Sequence, residues 1–109
     1  MLSVDPQTMK ISMTRGDTGI FNINLKDGEG EPYTPSSGDS LEFAMAKSYG
    51  QEPVLRKNIP IETLILKLEP SDTKDLSPES YVYEVQFTSS DGDVSTIILS
   101  KITLTKDVI

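Results

Sequence analysis

The 109-residue chain has no cysteine, no histidine and no tryptophan. Without Cys or His there is no thiol nucleophile, no Ser-His dyad, no imidazole proton shuttle, no disulfide and no ordinary zinc site. Most hydrolytic and redox chemistries therefore lose their essential group, and the chain is expected to be noncatalytic and without a cofactor or metal. The missing tryptophan leaves Tyr33 and Tyr49 as the aromatics expected in loops, too few to favour a sugar-stacking site. Positive charge is also scarce: ten Lys and Arg face seventeen Asp and Glu, a net charge of -7. Such a field repels phosphate backbones and anionic lipid, and Arg56-Lys57 is the only adjacent basic pair, so neither nucleic acid nor membrane is an expected partner. No run approaches the roughly 18 apolar residues of a spanning helix, and the first ten residues show no basic leader followed by an apolar stretch. Neither a signal peptide nor a transmembrane segment is expected.

What the chain does have is alternation. Met9, Ile11 and Met13 interleave with polar residues, as do Phe21, Ile23 and Leu25, then Leu41, Phe43 and Met45, then Leu64, Leu66 and Leu68, then Tyr81, Tyr83, Val85 and Phe87. A period of two puts each set on one face of a strand, so each segment reads as half-buried β. In residues 94 to 105 the parity breaks: Val94, Ile98, Ile102 and Leu104 share one side, Ile97 and Leu99 the other. A bulge or bend near Ser100 would reconcile them. Val54-Leu55 reads as a short edge strand.

Gly, Pro, Asp and Ser punctuate the intervals, most densely between residues 26 and 40, which read as a long surface loop. Many short strands with such turns argue for a sandwich or barrel. One helical turn is predicted near residues 70 to 76, where Pro70 suits a first helical position and Ser71 is a candidate cap. Leu, Ile, Val and Phe make up about a quarter of the chain, above the level that goes with disorder. The expected fold is thus a single all-β domain over residues 1 to 109, an immunoglobulin-like antiparallel β-sandwich of about seven strands.

Three short patterns carry possible sites. Asp91-Gly92-Asp93 superficially suggests a calcium loop but lacks its alternating ligands and terminal Glu, and the flanking residues make Asp91-Gly92 a hairpin turn. Arg15-Gly16-Asp17 spells an integrin-type tripeptide at the turn between the first two strands, a candidate interaction turn that equally suits an ordinary strand connection. Leu76-Ser77-Pro78-Glu79-Ser80-Tyr81-Val82-Tyr83 is similar to the tyrosine corner of immunoglobulin-like sandwiches, with Tyr81 or Tyr83 in the structural role. Two core tyrosines with rim hydroxyls are the plain alternative.

Taken in order, Arg15-Gly16-Asp17-Thr18, Phe21-Asn22-Ile23-Asn24-Leu25, Lys26-Asp27-Gly28, Leu41-Glu42-Phe43, Ser71-Asp72-Thr73, Tyr81-Val82-Tyr83-Glu84-Val85-Gln86-Phe87 and Asp91-Gly92 resemble the amino-terminal domain of phage baseplate upper proteins and related prophage tail modules. The resemblance runs from about Met9 to Leu104. It implies an immunoglobulin-like structural module of a tail or baseplate, made in a bacterial cytoplasm and residing in the virion. Its partners would be other phage tail and baseplate proteins, with homo-oligomerisation within the assembly also allowed. The competing reading is an extracellular recognition module that binds a surface receptor or glycan through its loops. The terminal tails and the acidic loop of residues 27 to 39 are candidate contact regions, and Lys47, Lys57 and Lys101 are candidate guards of exposed strand edges.

Overall fold

The structure is a computed structural model that describes residues 2 to 4 and 9 to 108; Met1, residues 5 to 8 and Ile109, parts of the expected terminal contact regions, lie outside the described residues. The elements are β1 (Ser3–Val4), β2 (Ile11–Thr14), β3 (Gly19–Asn22), β4 (Leu25–Lys26), β5 (Ser40–Ala46), β6 (Leu55–Ile59), β7 (Ile65–Leu68), the short helix α1 (Pro70–Thr73), β8 (Ser80–Thr88) and β9 (Val94–Thr105).

Five strands form one sheet in the order β2-β9-β8-β5-β6, antiparallel throughout except for the parallel pair of β2 and β9. The opposing layer pairs β1 with β4 and β3 with β7. β3 and β4 are successive pieces of one run, and the Ile23 N–H between them donates to the Leu64 carbonyl at 2.8 Å. β1 and β2 divide the amino-terminal run between the two layers. The nine strands among the described residues are therefore seven runs of chain, folded as an immunoglobulin-like β-sandwich.

Alternation places the core. Leu41, Phe43 and Met45 of β5, Tyr81, Tyr83 and Val85 of β8, and Ile98, Ile102 and Leu104 of β9 are all buried on the inner face of the large sheet. They meet Ile23, Leu25, Leu66 and Leu68 of the opposing layer in a single cluster. Phe43 and Tyr83 lie with ring centroids 5.3 Å apart at a tilt of 37°, within the range where aromatic pairs attract beyond the area they bury.

The structure differs from the sequence expectation in several places. The parity break in β9 is a bulge at Ile97, not near Ser100: Val85 pairs with Ile98 while Gln86 pairs with Thr96, leaving Ile97 as the extra residue. One inserted residue flips the side on which everything before it points. Val94 consequently faces out despite sharing sequence parity with Ile98. Leu64 is not part of a strand; it holds a left-handed φ of 55°, and β7 begins after it. α1 is the single helical turn expected, confined to Pro70–Thr73, and its cap is Glu69 instead of Ser71. The Glu69 N–H donates to Asp72 Oδ2 at 2.7 Å, and the Asp72 N–H donates to the Glu69 carbonyl at 2.9 Å. β6 runs over Leu55–Ile59, so Val54 of the expected Val54-Leu55 strand lies outside it and the strand extends farther along the chain. β8 pairs β9 on one side, whereas β2 covers the other side only along residues 102 to 105, so Lys101 stands one residue beyond the stretch that β2 closes. Lys57 does lie on edge strand β6, but its ammonium reaches Asp72 Oδ2 at 2.7 Å and ties that edge to α1.

Candidate functional site

The Arg15 turn belongs to the internal structure of one end of the sandwich. Gly16 adopts φ 86°, and the Asp17 N–H closes the turn on the Thr14 carbonyl at 3.1 Å. A positive φ at this position is cheap only for glycine. The Gly16 N–H donates to Oγ1 of Thr73, a helix residue with no exposed surface, at 2.9 Å. The Arg15 guanidinium donates to Asp107 Oδ1 from both Nε, at 3.2 Å, and Nη2, at 2.8 Å, while Nη1 reaches the Leu76 carbonyl at 3.2 Å. The hydrogen bonds from Arg15 hold the Asp107 carboxyl below its ordinary pKa. Asp17 alone of the three is left exposed. The arginine is thus a clamp that joins the turn, the connection before β8 and the residues after β9.

The two tyrosines diverge. The Tyr81 hydroxyl turns back on the connection and donates to the Ser77 carbonyl at 2.7 Å, the geometry that a tyrosine corner has. Tyr83 instead spans toward the amino-terminal segment and donates to the Met9 carbonyl. Burial raises both phenols, that of Tyr83 to about 12. At the opposite end, Gly92 takes φ 92° in the β8–β9 hairpin, where the Gly92 N–H donates to the Ser89 carbonyl at 2.9 Å. Asp91 is exposed beside it. No group of three or more metal-ligating side chains that could hold an ion occurs among the described residues.

The acidic loop is fastened to its surroundings. Asp27 Oδ1 accepts the Glu29 and Glu31 N–H groups, at 2.8 and 3.0 Å. Asp39 accepts the Ser36 N–H at 2.8 Å and, across the end of the sandwich, the Ser90 N–H at 2.9 Å. Tyr33 packs edge-on against Phe87 with centroids 6.1 Å apart. Of the four carboxylates that made this loop look like a contact region, Glu29 and Glu31 are exposed, whereas Asp27 and Asp39 serve as turn formers.

The feature that sequence reasoning missed lies on the outer face of the large sheet. The register aligns Leu99, Glu84, Ala44 and Arg56 in one row across β9, β8, β5 and β6. Beside it, Lys101, Val82 and Ala46 form the next outward row. The loop after β5 rises over these rows and encloses a shallow concavity of about 150 Å³, walled by Tyr49, Gln51 and Pro53 and floored by Ala44, Val82, Glu84 and Leu99. Leu99 is 53% exposed and Tyr49 64% exposed, so two large apolar groups border a hollow that the half-buried Glu84 also lines. The parity break in residues 94 to 105 was the available signal: Leu99 falls on the side opposite the core residues Ile98, Ile102 and Leu104.

No helix among the described residues is long and apolar enough to cross a membrane. No protein-family profile matches the chain, and none of the curated proteins does. Among solved structures, the fibronectin(III)-like modules of Clostridium thermocellum CbhA are similar, with a TM-score of 0.53 and 9% identity over 97% of this chain and 98% of that one. At that identity the likeness speaks for the fold: this chain has the architecture of a fibronectin III-like, immunoglobulin-like β-sandwich.

Proposed function

We propose that the protein is a noncatalytic assembly module of a phage or prophage tail baseplate, which acts through protein–protein contacts and resides in the virion. The observation that carries this reading is the outer face of the large sheet, where Leu99, Val82, Ala44 and Tyr49 present apolar surface around a hollow that Glu84 also lines, with Arg56 and Lys101 farther out on the same rows. Recognition surfaces have this anatomy, with an apolar and aromatic centre and a polar rim. A hollow of about 150 Å³ is below the roughly 300–1,000 Å³ of sites that take whole small-molecule ligands, which favours a protein partner. The sequence resemblance to baseplate modules supplies the kind of assembly.

The test is association with the tail components encoded beside this protein's own gene. One of them is expected to bind, and Leu99→Asp is expected to weaken that binding by tenfold or more, about 1.4 kcal/mol or greater, as for a central contact residue. Failure of every tail component to bind the folded protein overturns the assignment.

A further inference from the structure

We infer that the hollow on the outer face is an arginine-side-chain pocket, filled by a basic residue of the protein partner. The inference rests on the assembly reading above and names what the partner must present there.

The argument begins with Glu84. It occupies the middle of its row, between Leu99 on β9 and Ala44 on β5, and it lines the concavity. The ion pairs among the described residues all involve other acids: Asp107, Glu79, Glu42, Asp72 and Glu69. The contact that Glu84 does make is a long one, at 3.4 Å from the Gln86 Nε2 to Oε1. The cations nearest in the register are Arg56 at the end of the same row and Lys101 in the next. Arg56 is engaged with Glu42 at 3.1 Å, and Lys101 is exposed. A carboxylate on a half-buried residue, in no ion pair and flanked by apolar groups, is complementary to a positive charge brought by another molecule.

The shape selects among cations. A volume of about 150 Å³ equals that of a cavity able to admit one benzene-sized group, so it takes one side chain and no more. Tyr49 stands on one wall and Val82 and Leu99 on the floor. Arginine uses all three features: its apolar stem lies along Val82 and Leu99, its planar guanidinium stacks on the Tyr49 ring, and its paired donors meet the two carboxylate oxygens. Lysine offers a strongly hydrated point charge and forgoes the stacking. A net charge of -7 steers a basic partner toward this protein from any direction, while the hollow determines where one of its side chains docks.

Nuclear magnetic resonance titration with N-acetyl-arginine amide provides the test, with N-acetyl-citrulline amide as the uncharged isostere. The arginine probe is expected to produce saturable shifts at Val82, Glu84 and Leu99, the citrulline probe none at matched concentration. Glu84→Gln, on the solvent side of the sheet, is expected to fold normally and to weaken the arginine probe at least tenfold. Absence of shifts with arginine, or equal shifts with citrulline, overturns the inference. A second arm uses the cognate tail component. If it binds wild type and Glu84→Gln equally well, the arginine pocket fails and the assembly reading stands. If no tail component binds while the arginine probe does, the assembly reading fails and the pocket stands.

Discussion

The two faces of the large sheet are built from neighbouring residues of the same three strands, yet they do different work. On the inner face the row Ile98, Val85, Phe43 is closed to solvent, each residue 2% exposed or less. On the outer face the adjacent row Leu99, Glu84, Ala44 mixes apolar surface with a carboxylate and stays accessible. The inner row ends on edge strand β6 at Lys57, which reaches past the sheet to Asp72. The outer row ends at Arg56, whose guanidinium stays on the surface with Glu42. The lesson is that apolar residues in this chain have two destinations. Those opposite the second layer hold the fold together, whereas those facing away are unclaimed by it and are available to a partner.

Substitutions can break that division, and the largest effects belong to the inner face. Phe43→Ala removes a ring with no exposed surface and is expected to cost about 3–5 kcal/mol, measured as a fall in the urea midpoint. A loss of stability below about 1 kcal/mol would mean that the inner face is not the close-packed body described.

Tyr83 allows the same face to be probed by pH. Its phenol is raised to about 12 by burial, against an unfolded value of about 10. A raised folded-state pKa gives stability that is complete below pH ~10 and is lost as pH rises toward ~12, up to about 3 kcal/mol for a shift of two units. Tyr81 shifts in the same direction and adds to the slope. Stability measured across this alkaline window is expected to fall, and Tyr83→Phe to flatten the fall; an unchanged slope in that variant would contradict the burial.

Tyr81→Phe sharpens the comparison between the two tyrosines. It removes the bond to the Ser77 carbonyl and leaves the ring in place, with an expected cost of about 1–2 kcal/mol read from thermal or urea unfolding. The smallest stability effect is expected on the other side of the sheet. Leu99→Ser changes an exposed residue and should leave stability within about 0.5 kcal/mol, with its consequence confined to association.

Several elements were legible before folding because their cause is local. The alternation in residues 41 to 45 and 81 to 87 marks strands whatever they pair with, and Asp91-Gly92 marks a turn because glycine tolerates the φ of 92° found there. Other features were not, because their cause lies elsewhere in the chain. Nothing adjacent to Arg15 reveals Asp107 as its partner. Nothing near residue 70 reveals that Thr73, the last residue of the one-turn helix, is buried with its hydroxyl accepting the Gly16 N–H across the end of the sandwich. The outer hollow needs the loop after β5 and two nonconsecutive strands brought side by side, so its carboxylate was one of seventeen acids with nothing to distinguish it.

The amino-acid order alone therefore determined that the chain is β, that its strands have one apolar side, and that it lacks the groups on which most catalysis depends, since side-chain period and composition are properties of the chain itself. Tertiary structure decided the bulge at Ile97, the choice of Tyr81 over Tyr83 for the bond to Ser77, and the place of Glu84 at the centre of a pocket. Each of these depends on which distant residues become neighbours, and in a sandwich that is settled by pairing register between strands far apart in sequence.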